Sequence, residues 1–310
     1  MTLQIHHGST LLLGDLEVTL QRTLRIPDDG KPYPLPPGLG HFPLRRVHDY
    51  ATRVPPAWLE HGGVFLPMYQ REAMWLNFGG APHALKVGIG KVCAISGERW
   101  REGLCTDPQD YVVTGTQPWL DGIAAGEGMI KQFVAMPLGG GYTVEAQLTG
   151  EEKHGGIQLQ AYPAKPGRLP RYAADDYDCD ECCSFELERA TGEMGLAAGG
   201  RMAQKIYPDP YGVDVWDLAK RERVFVHIVN SERWRAITGE AAPATPVSAK
   251  SYCDAGLPWF ALYDEHATTI APTAKLAGVK SIKDIEDAPV SPGPIKKLRK
   301  KGMPVDDGSW

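Results

Sequence analysis

The stretch from Gln117 to Tyr162, QPWLDGIAAGEGMIKQFVAMPLGGGYTVEAQLTGEEKHGGIQLQAY, limits the fold more than any other part of the chain. Its runs IKQFVAMP and YTVEAQLTG are apolar, β-branched and aromatic, and they flank Gly139-Gly140-Gly141. A further run, GIQLQAY, resumes the alternation of apolar and polar positions after Gly155-Gly156. Period-two alternation between glycine turns is the pattern of half-buried strands, because successive side chains on a strand point to opposite faces. The stretch therefore predicts a hairpin and meander at the centre of a β-sheet.

The same punctuation runs through the whole chain. With 35 glycines and 26 prolines in 310 residues, short elements joined by turns are expected in place of a helical bundle, and 43% apolar residues suffice for a large core. The expected fold class is mainly β with a few short helices, as a β-sandwich or two packed antiparallel sheets. Residues 10–26, TLLLGDLEVTLQRTLRI, alternate as one long or bent strand, and GVFLPMY, REAMWLNF, ALKVGIGKVCAIS, YVVTG and RVFVHIVN read as further strands. The proline-rich PYPLPPGLGHFP reads as polyproline II or coil laid across a sheet edge.

Helix signals are few and local. Pro55-Pro56 opens and Gly62 stops a short helix, Asn230 caps SERWRAIT before Gly239, Thr245-Pro246 opens a segment ended by Gly256, and Ser281 with Asp284 marks a last turn. The organisation expected is a β-rich core over 1–163, an acidic mobile loop or insertion over 164–192, a mixed α/β part over 193–290 sharing that core, and a flexible basic tail over 291–310.

A formal charge of −5 and a pI near 6.0 give no global attraction to phosphate backbones or anionic lipid, so neither nucleic acid nor membrane is an expected partner. The N-terminus lacks a basic region followed by an apolar run, and no span approaches the roughly 18–20 apolar residues that cross a bilayer. Six unevenly spaced cysteines fit reduced thiols, and the expected location is cytoplasmic.

Candidate sites each stand beside a structural alternative. Gln117, Trp119 and Asp121, at a turn into the central strands, combine an aromatic face with directed polar groups, which suits a sugar or peptide; the same residues serve a turn whose tryptophan plugs the core. Asp121 and Glu145 would serve as acid and base in glycan hydrolysis only at a separation of roughly 5–10 Å. Among nine histidines, His61, His154 and His227 are the three to follow: His61 sits beside a turn, His154 precedes Gly155-Gly156, and His227 lies in the strand VFVHIVN as a hydrogen-bonded core residue.

Cys179, Cys182 and Cys183 contain one CxxC half-site, short of the four ligands of a structural zinc. Asp176, Asp178 and Asp180 open like a calcium loop, but Glu181 and Leu187 occupy its glycine and glutamate positions. GLAAGGRMAQKI, 195–206, matches neither phosphate-loop spacing, so close backbone packing at its glycines is favoured over anion binding with Arg201. No cofactor is implied, and the basic tail reads as solvated.

The segments RTLRIPDDG, GGVFLPMYQREAMW, QPWLDGI and QFVAMPLGGGYTVEAQ resemble those of a protein family found in bacteria and fungi, with related pattern over most of residues 18–285. The resemblance implies kinship and carries no activity to transfer. With a well-specified β architecture and no familiar catalytic constellation, the reading favoured by sequence is a non-enzymatic structural or interaction protein that self-associates through β-rich surfaces. The alternative is a ligand-binding module or hydrolase, for a small molecule or glycan, with a pocket near Gln117, Trp119, Asp121 and His154.

Overall fold

The computed structural model describes residues 4–126, 128–169, 193–246, 269–271 and 273–287. Strands β1 (Gln4–His6), β2 (Thr10–Leu13) and β3 (Leu16–Thr23) open it as a meander. The run read as one bent strand over 10–26 is thus two strands. Gly14 adopts φ +60° at the turn and Leu13 pairs with Leu16, so the apolar alternation continues across the hairpin with Leu11, Leu13, Leu16, Val18 and Leu20 all in the core.

The prolines after Ile26 interrupt regular pairing without abolishing it. Two short strands, β4 (Pro32–Tyr33) and β5 (Gly38–His41), form there, and β5 covers the edge of β3. Then follow β6 (Arg45–Arg46), helix α1 (Pro56–His61), β7 (Val64–Met68), β8 (Ala73–Gly80), β9 (His83–Ile89) and the two-residue strands β10 (Val92–Cys93), β11 (Val112–Val113) and β12 (Trp119–Leu120). Proline at the first turn and Gly62 at φ +64° delimit α1 as expected.

The central stretch contributes β13 (Gly122–Gly126), β14 (Met129–Pro137) and β15 (Ile157–Pro163), and between the last two a helix, α2 (Val144–Thr149). YTVEAQLTG, expected as a strand, is that helix. The signals that prevail are local: Thr143 Oγ1 accepts the Ala146 N–H, Gly150 closes the end in the left-handed region, and Glu, Ala, Gln and Leu are all good helix formers. Gly139 and Gly141 accordingly lead from strand to helix, their N–H groups held by the Glu152 carboxylate.

After residue 192 come β16 (Glu193–Ala203), β17 (Glu222–Asn230) and α3 (Ser231–Thr238), the last capped by Asn230 and stopped by Gly239 as its sequence predicts. GLAAGGRMA is strand. Its glycines are places of close backbone approach: a Cβ at Gly200 would lie 2.4 Å from the Pro27 carbonyl oxygen, and one at Gly199 2.5 Å from Val134. Two further turns, Ala274–Ala277 and Ile282–Glu286, follow, the second with a capping box between Ser281 and Asp284.

The described strands join one continuous, mainly antiparallel hydrogen-bonded network of seventeen. The packed layers come from curvature of that network: β14 pairs with β16, β16 with β17, β17 with β15 and β15 with β9. From β9 the circuit returns to β14, because Val87 O accepts the Ala94 N–H, Ala94 O accepts the Ala124 N–H, and β13 pairs with β14. A sheet that closes this way leaves few open edges. β7 adds a parallel strand on β17, and β4 another on β16.

One buried cluster collects side chains from both sides of the 164–192 segment, among them Leu20, Val87, Phe133, Leu159, Leu196, Val226 and Leu276. A smaller one joins α1, α3 and β7 through Trp58, Phe65 and Trp234. Among the described residues no helix is long and apolar enough to cross a membrane. The segment read as helical from Thr245 to Gly256, residues 170–192 and the basic tail lie wholly or mostly outside the described residues.

Gly63 joins α1 to β7 at φ +88°, and a Cβ there would sit 2.1 Å from the Phe225 carbonyl oxygen. Gly63→Ala thus meets both a backbone conformation that L-residues avoid and a hard backbone clash. We expect it to lower the free energy of unfolding by about 2 kcal/mol or more. Guanidinium denaturation measures this, and a loss below about 0.5 kcal/mol would contradict the described junction.

Candidate functional site

Two elements and three connecting segments line a cleft of about 510 Å³. Its back wall is β17. Period-two geometry sends Val224, Val226 and Ile228 into the core and Arg223, Phe225 and His227 to the opposite face, where all three line the cleft. Helix α1 supplies Trp58 and His61, the turn after β9 supplies Lys91, the loop beyond β10 supplies Arg99 and Trp100, and the loop before β15 supplies Lys153 and His154.

The aromatic groups hold one another in place. Trp58 stacks on His227 with ring centroids 4.6 Å apart, and His61 stacks on Phe225 at 4.7 Å. The Arg223 guanidinium lies over both Phe225 and Trp100, at 4.6 and 5.6 Å from the ring centroids. Arg223 also donates to Glu102, 3.1 Å away, and to Gln158. Trp100 in turn has the Lys86 ammonium 5.2 Å from its centroid.

That ammonium anchors the loop. Lys86 and Asp110 form an ion pair at 2.8 Å with both side chains buried, and the remaining Lys86 donors go to the carbonyls of Arg101 and Gly103. Asp110 also accepts the Cys105 N–H. A buried pair with every donor satisfied positions its surroundings strongly, because losing one partner leaves a bare charge in a low dielectric. The backbone carrying Arg99 and Trp100 is tied down here.

The floor is organised by Glu145. Its buried carboxylate accepts the Lys91 N–H at 3.1 Å, the His154 N–H at 3.2 Å and the Gly155 N–H at 3.1 Å, joining two loops to α2. Gly90 is required beside it, since a Cβ there would approach the Glu145 carboxyl carbon to 2.4 Å.

The three histidines differ in surroundings. His227 is buried, and its Nε2 lies 2.9 Å from the Gly62 carbonyl oxygen, which can only accept; Nε2 therefore carries the proton and Nδ1 does not. Burial, with His61 adding a smaller effect of the same sign, pushes its pKa down to about 4, so the ring is neutral at pH 7. Burial and the adjacent Lys91 charge also lower His154, opposed by Glu145.

Four cations, Lys91, Arg99, Lys153 and Arg223, line the cleft against two carboxylates, Glu60 and Glu193. Lys153 pairs with Glu151 and Arg223 with Glu102. The Lys91 ammonium and the Arg99 guanidinium have no hydrogen-bond or ion-pair partner among the described residues. Among the described residues the Glu60 and Glu193 carboxylates likewise have no such partner, and the Trp100 Nε1–H has no acceptor.

Of the residues singled out by sequence, His154 lies at this cleft, together with His61 and His227. Gln117 and Asp121 are placed elsewhere. Gln117 is buried, donates to the carbonyls of Trp119 and Lys205 and accepts the Tyr207 N–H. Asp121 is buried against Gln204, which donates to its carboxylate and accepts its N–H. Trp119 is half-buried and meets Trp75 edge-on at 6.5 Å. These groups stitch β12 and its turn to the chain after β16. Asp121 and Glu145 are held by separate partners, Gln204 for the first and the main-chain N–H groups of Lys91, His154 and Gly155 for the second.

Cys179, Cys182 and Cys183 lie outside the described residues, as do Asp176, Asp178 and Asp180. Among the described residues no three His, Cys, Asp or Glu side chains converge to hold a metal. The 195–206 glycines all lie on β16, Gly195 paired with Met136 and Gly199-Gly200 at the bulge opposite Gln132, and not at a helix start.

Sequence reasoning missed Lys91, Arg99, Trp100 and Arg223. Arg223 was accessible, since the alternation that marks β17 also places residues 223, 225 and 227 on one face. No local signal marks Lys91 and Arg99, which meet the other walls only through the tertiary fold. Comparison of the chain with protein-family models, with curated proteins and with solved structures found no match.

Asp121 yields a pH test of the core. Burial, only partly offset by the Gln204 hydrogen bond, raises its carboxyl to about 7. Below about pH 4 the group is protonated in folded and unfolded chains alike. Between there and about pH 7 the unfolded chain ionises first, so this group's contribution to stability is lost as pH rises, by up to about 1.4 kcal/mol per pH unit. Asp121→Asn lacks that slope. Its stability relative to the parent protein should improve from pH 4 to 7 and then level off in urea titrations; a constant difference would show Asp121 ionised throughout.

Proposed function

We propose that the chain is a small-molecule-binding module whose ligand sits in the cleft between α1, β17 and the Lys91 and His154 loops, with negative charge toward Lys91 and Arg99. The observation that carries this reading is a cleft of ligand size whose lining holds unpartnered charges, Lys91 and Arg99 on two of its loops and Glu60 and Glu193 beside them. Unpaired charges at a concave surface leave a partner's place open, and cavities of roughly 300–1,000 Å³ take most metabolite-sized ligands.

Preorganisation supports it further. The walls are fixed by stacked rings, by the Lys86–Asp110 pair and by the Glu145 carboxylate, so the side chains left to order on binding are chiefly the exposed ones, Lys91 and Arg99. Self-association through β-rich surfaces draws less support, since among the large hydrophobic side chains described Leu218 is the exposed one, at 46%. The pocket expected near Gln117 and Asp121 is occupied by their own hydrogen bonds, which moves the ligand-binding reading to the histidine cleft.

A thermal-shift panel at constant ionic strength tests the proposal, with small organic carboxylates and phosphates on one side and neutral sugars on the other. Anions should raise the melting temperature in proportion to the logarithm of their concentration above Kd, and the double variant Lys91→Met/Arg99→Met should lose most of that rise while keeping its own unliganded melting temperature. Stabilisation by neutral sugars alone, or an equal anion response in the double variant, would overturn the reading.

A further inference from the structure

We infer that His227 is a proton-operated latch: uncharged, it ties the end of α1 to β17, and a falling pH releases that corner and opens one wall of the cleft. The device concerns the protein's own histidines and stands whatever the cleft binds.

The geometry concentrates the hold on one imidazole. Helix α1 has six residues, and a helix so short depends on tertiary contacts. The Gly62 carbonyl at its end accepts from His227 Nε2 at 2.9 Å, the Trp58 indole lies over the same imidazole at an interplanar angle of 16°, and His61 stacks on Phe225, the neighbouring residue on that face of β17. Beyond these contacts Trp58 packs on Phe65, and the Gly63 carbonyl accepts the Val47 N–H at 3.0 Å. Release of the latch is therefore a local opening of this corner, separate from the ladder of β14 and β16.

The surroundings suit a neutral ring and oppose a charged one. His227 is 8% exposed, and a neutral imidazole can donate to Gly62 without bringing charge into that space. Around it stand Glu60 and His61 of α1, His48 against Gly62, Arg223 of the same strand, Glu193 of β16, and Lys91, Arg99, Lys153 and His154 of the cleft loops. Of these charges His61 is the one felt at the ring, and it repels a proton there. His61 acts on His154 in the same sense, with Lys91 adding to it. Acidification thus adds positive charge to a lining that already holds four cations. Contact with an indole face favours a cation, but burial prevails and keeps His227 at about 4.

The direction of the response follows. A histidine freed by opening takes up its proton near pH 6.5, well above the value it has when closed. The latch holds in full above about pH 6.5, and its hold is lost as pH falls from there toward about 4. At pH 5 a freed ring is almost wholly protonated while the closed one is mostly neutral, so opening is favoured about ten-fold or more over pH 7.5.

Hydrogen exchange of the full chain, read by mass spectrometry at pH 7.5 and pH 5.0 and corrected for the intrinsic pH dependence of exchange, measures that opening. Protection over residues 56–63, where the Gly62 N–H is bonded to the Trp58 carbonyl, should fall by about ten-fold or more at the lower pH. Protection over residues 130–136 of β14 should change by less than about two-fold. His227→Gln keeps a donor for the Gly62 carbonyl but cannot titrate, and residues 56–63 of that variant should lose the pH response. Equal protection of 56–63 at both pH values would overturn the latch. So would a loss that β14 shares in the same measure, which would make acid sensitivity a property of the whole fold, or a response that persists in a folded His227→Gln chain. Should that variant fail to fold, the comparison of the two segments in the parent chain decides the matter alone.

Discussion

The buried Glu145 carboxylate accepts three main-chain N–H groups from two loops that are far apart in sequence, and the arrangement of the cleft depends on that junction. A carboxylate inside a protein is costly unless its oxygens are satisfied, and here each neighbouring N–H also gains a partner it would otherwise lack. The exchange is mutual. Helix α2 places the carboxylate, the carboxylate places the loops, and the loops place Lys91 and His154 at the cleft. The absence of a side chain at Gly90 makes room for it.

A second anchor lies behind the opposite wall. The Lys86–Asp110 pair pins the segment after β10 by donating to two of its carbonyls, and the same ammonium rests near the ring of Trp100. Buried ions therefore act in pairs with the main chain to hold irregular segments, while the regular ladder of β14, β16, β17, β15 and β9 forms the frame. Irregular backbone needs such partners because its N–H and C=O groups have no ladder to satisfy them.

The legibility of this fold in sequence follows the range of the forces involved. Period-two alternation located β3, β8, β14, β15 and β17, since it records burial along a single strand. Caps and stops located α1, α3 and the turn at Ser281, because those signals are complete within a few residues. YTVEAQLTG failed for an instructive reason: its apolar positions satisfy a strand pattern, and only Thr143 and Gly150, read together as cap and stop, reveal the helix. The one-strand reading of 10–26 failed likewise, because a two-residue turn at Gly14-Asp15 preserves the alternation it interrupts.

The candidate site was legible only in its histidines. His61, His154 and His227 stood out as residues, but nothing in the sequence places them around one space, and Lys91 and Arg99 are ordinary surface residues until the sheet closes. Gln117 and Asp121 show the converse, with chemically suggestive types used wholly for internal hydrogen bonds. Polar groups of this kind are ambiguous in sequence because turns and binding sites draw on the same side chains.

Main chain, more than side chain, sets the junction at Gly63, where the segment following α1 passes within van der Waals reach of the Phe225 carbonyl. Trp58 and His61 are thus carried to the cleft by a fixed path of backbone, and the side chains of Lys91 and Arg99 bear no structural burden. Stability and recognition are separable in this architecture. In the ligand-binding reading proposed above, substitutions at the rim change which molecule is accepted without disturbing the frame, which would suit the fold to diversification over evolutionary time and to redesign in the laboratory.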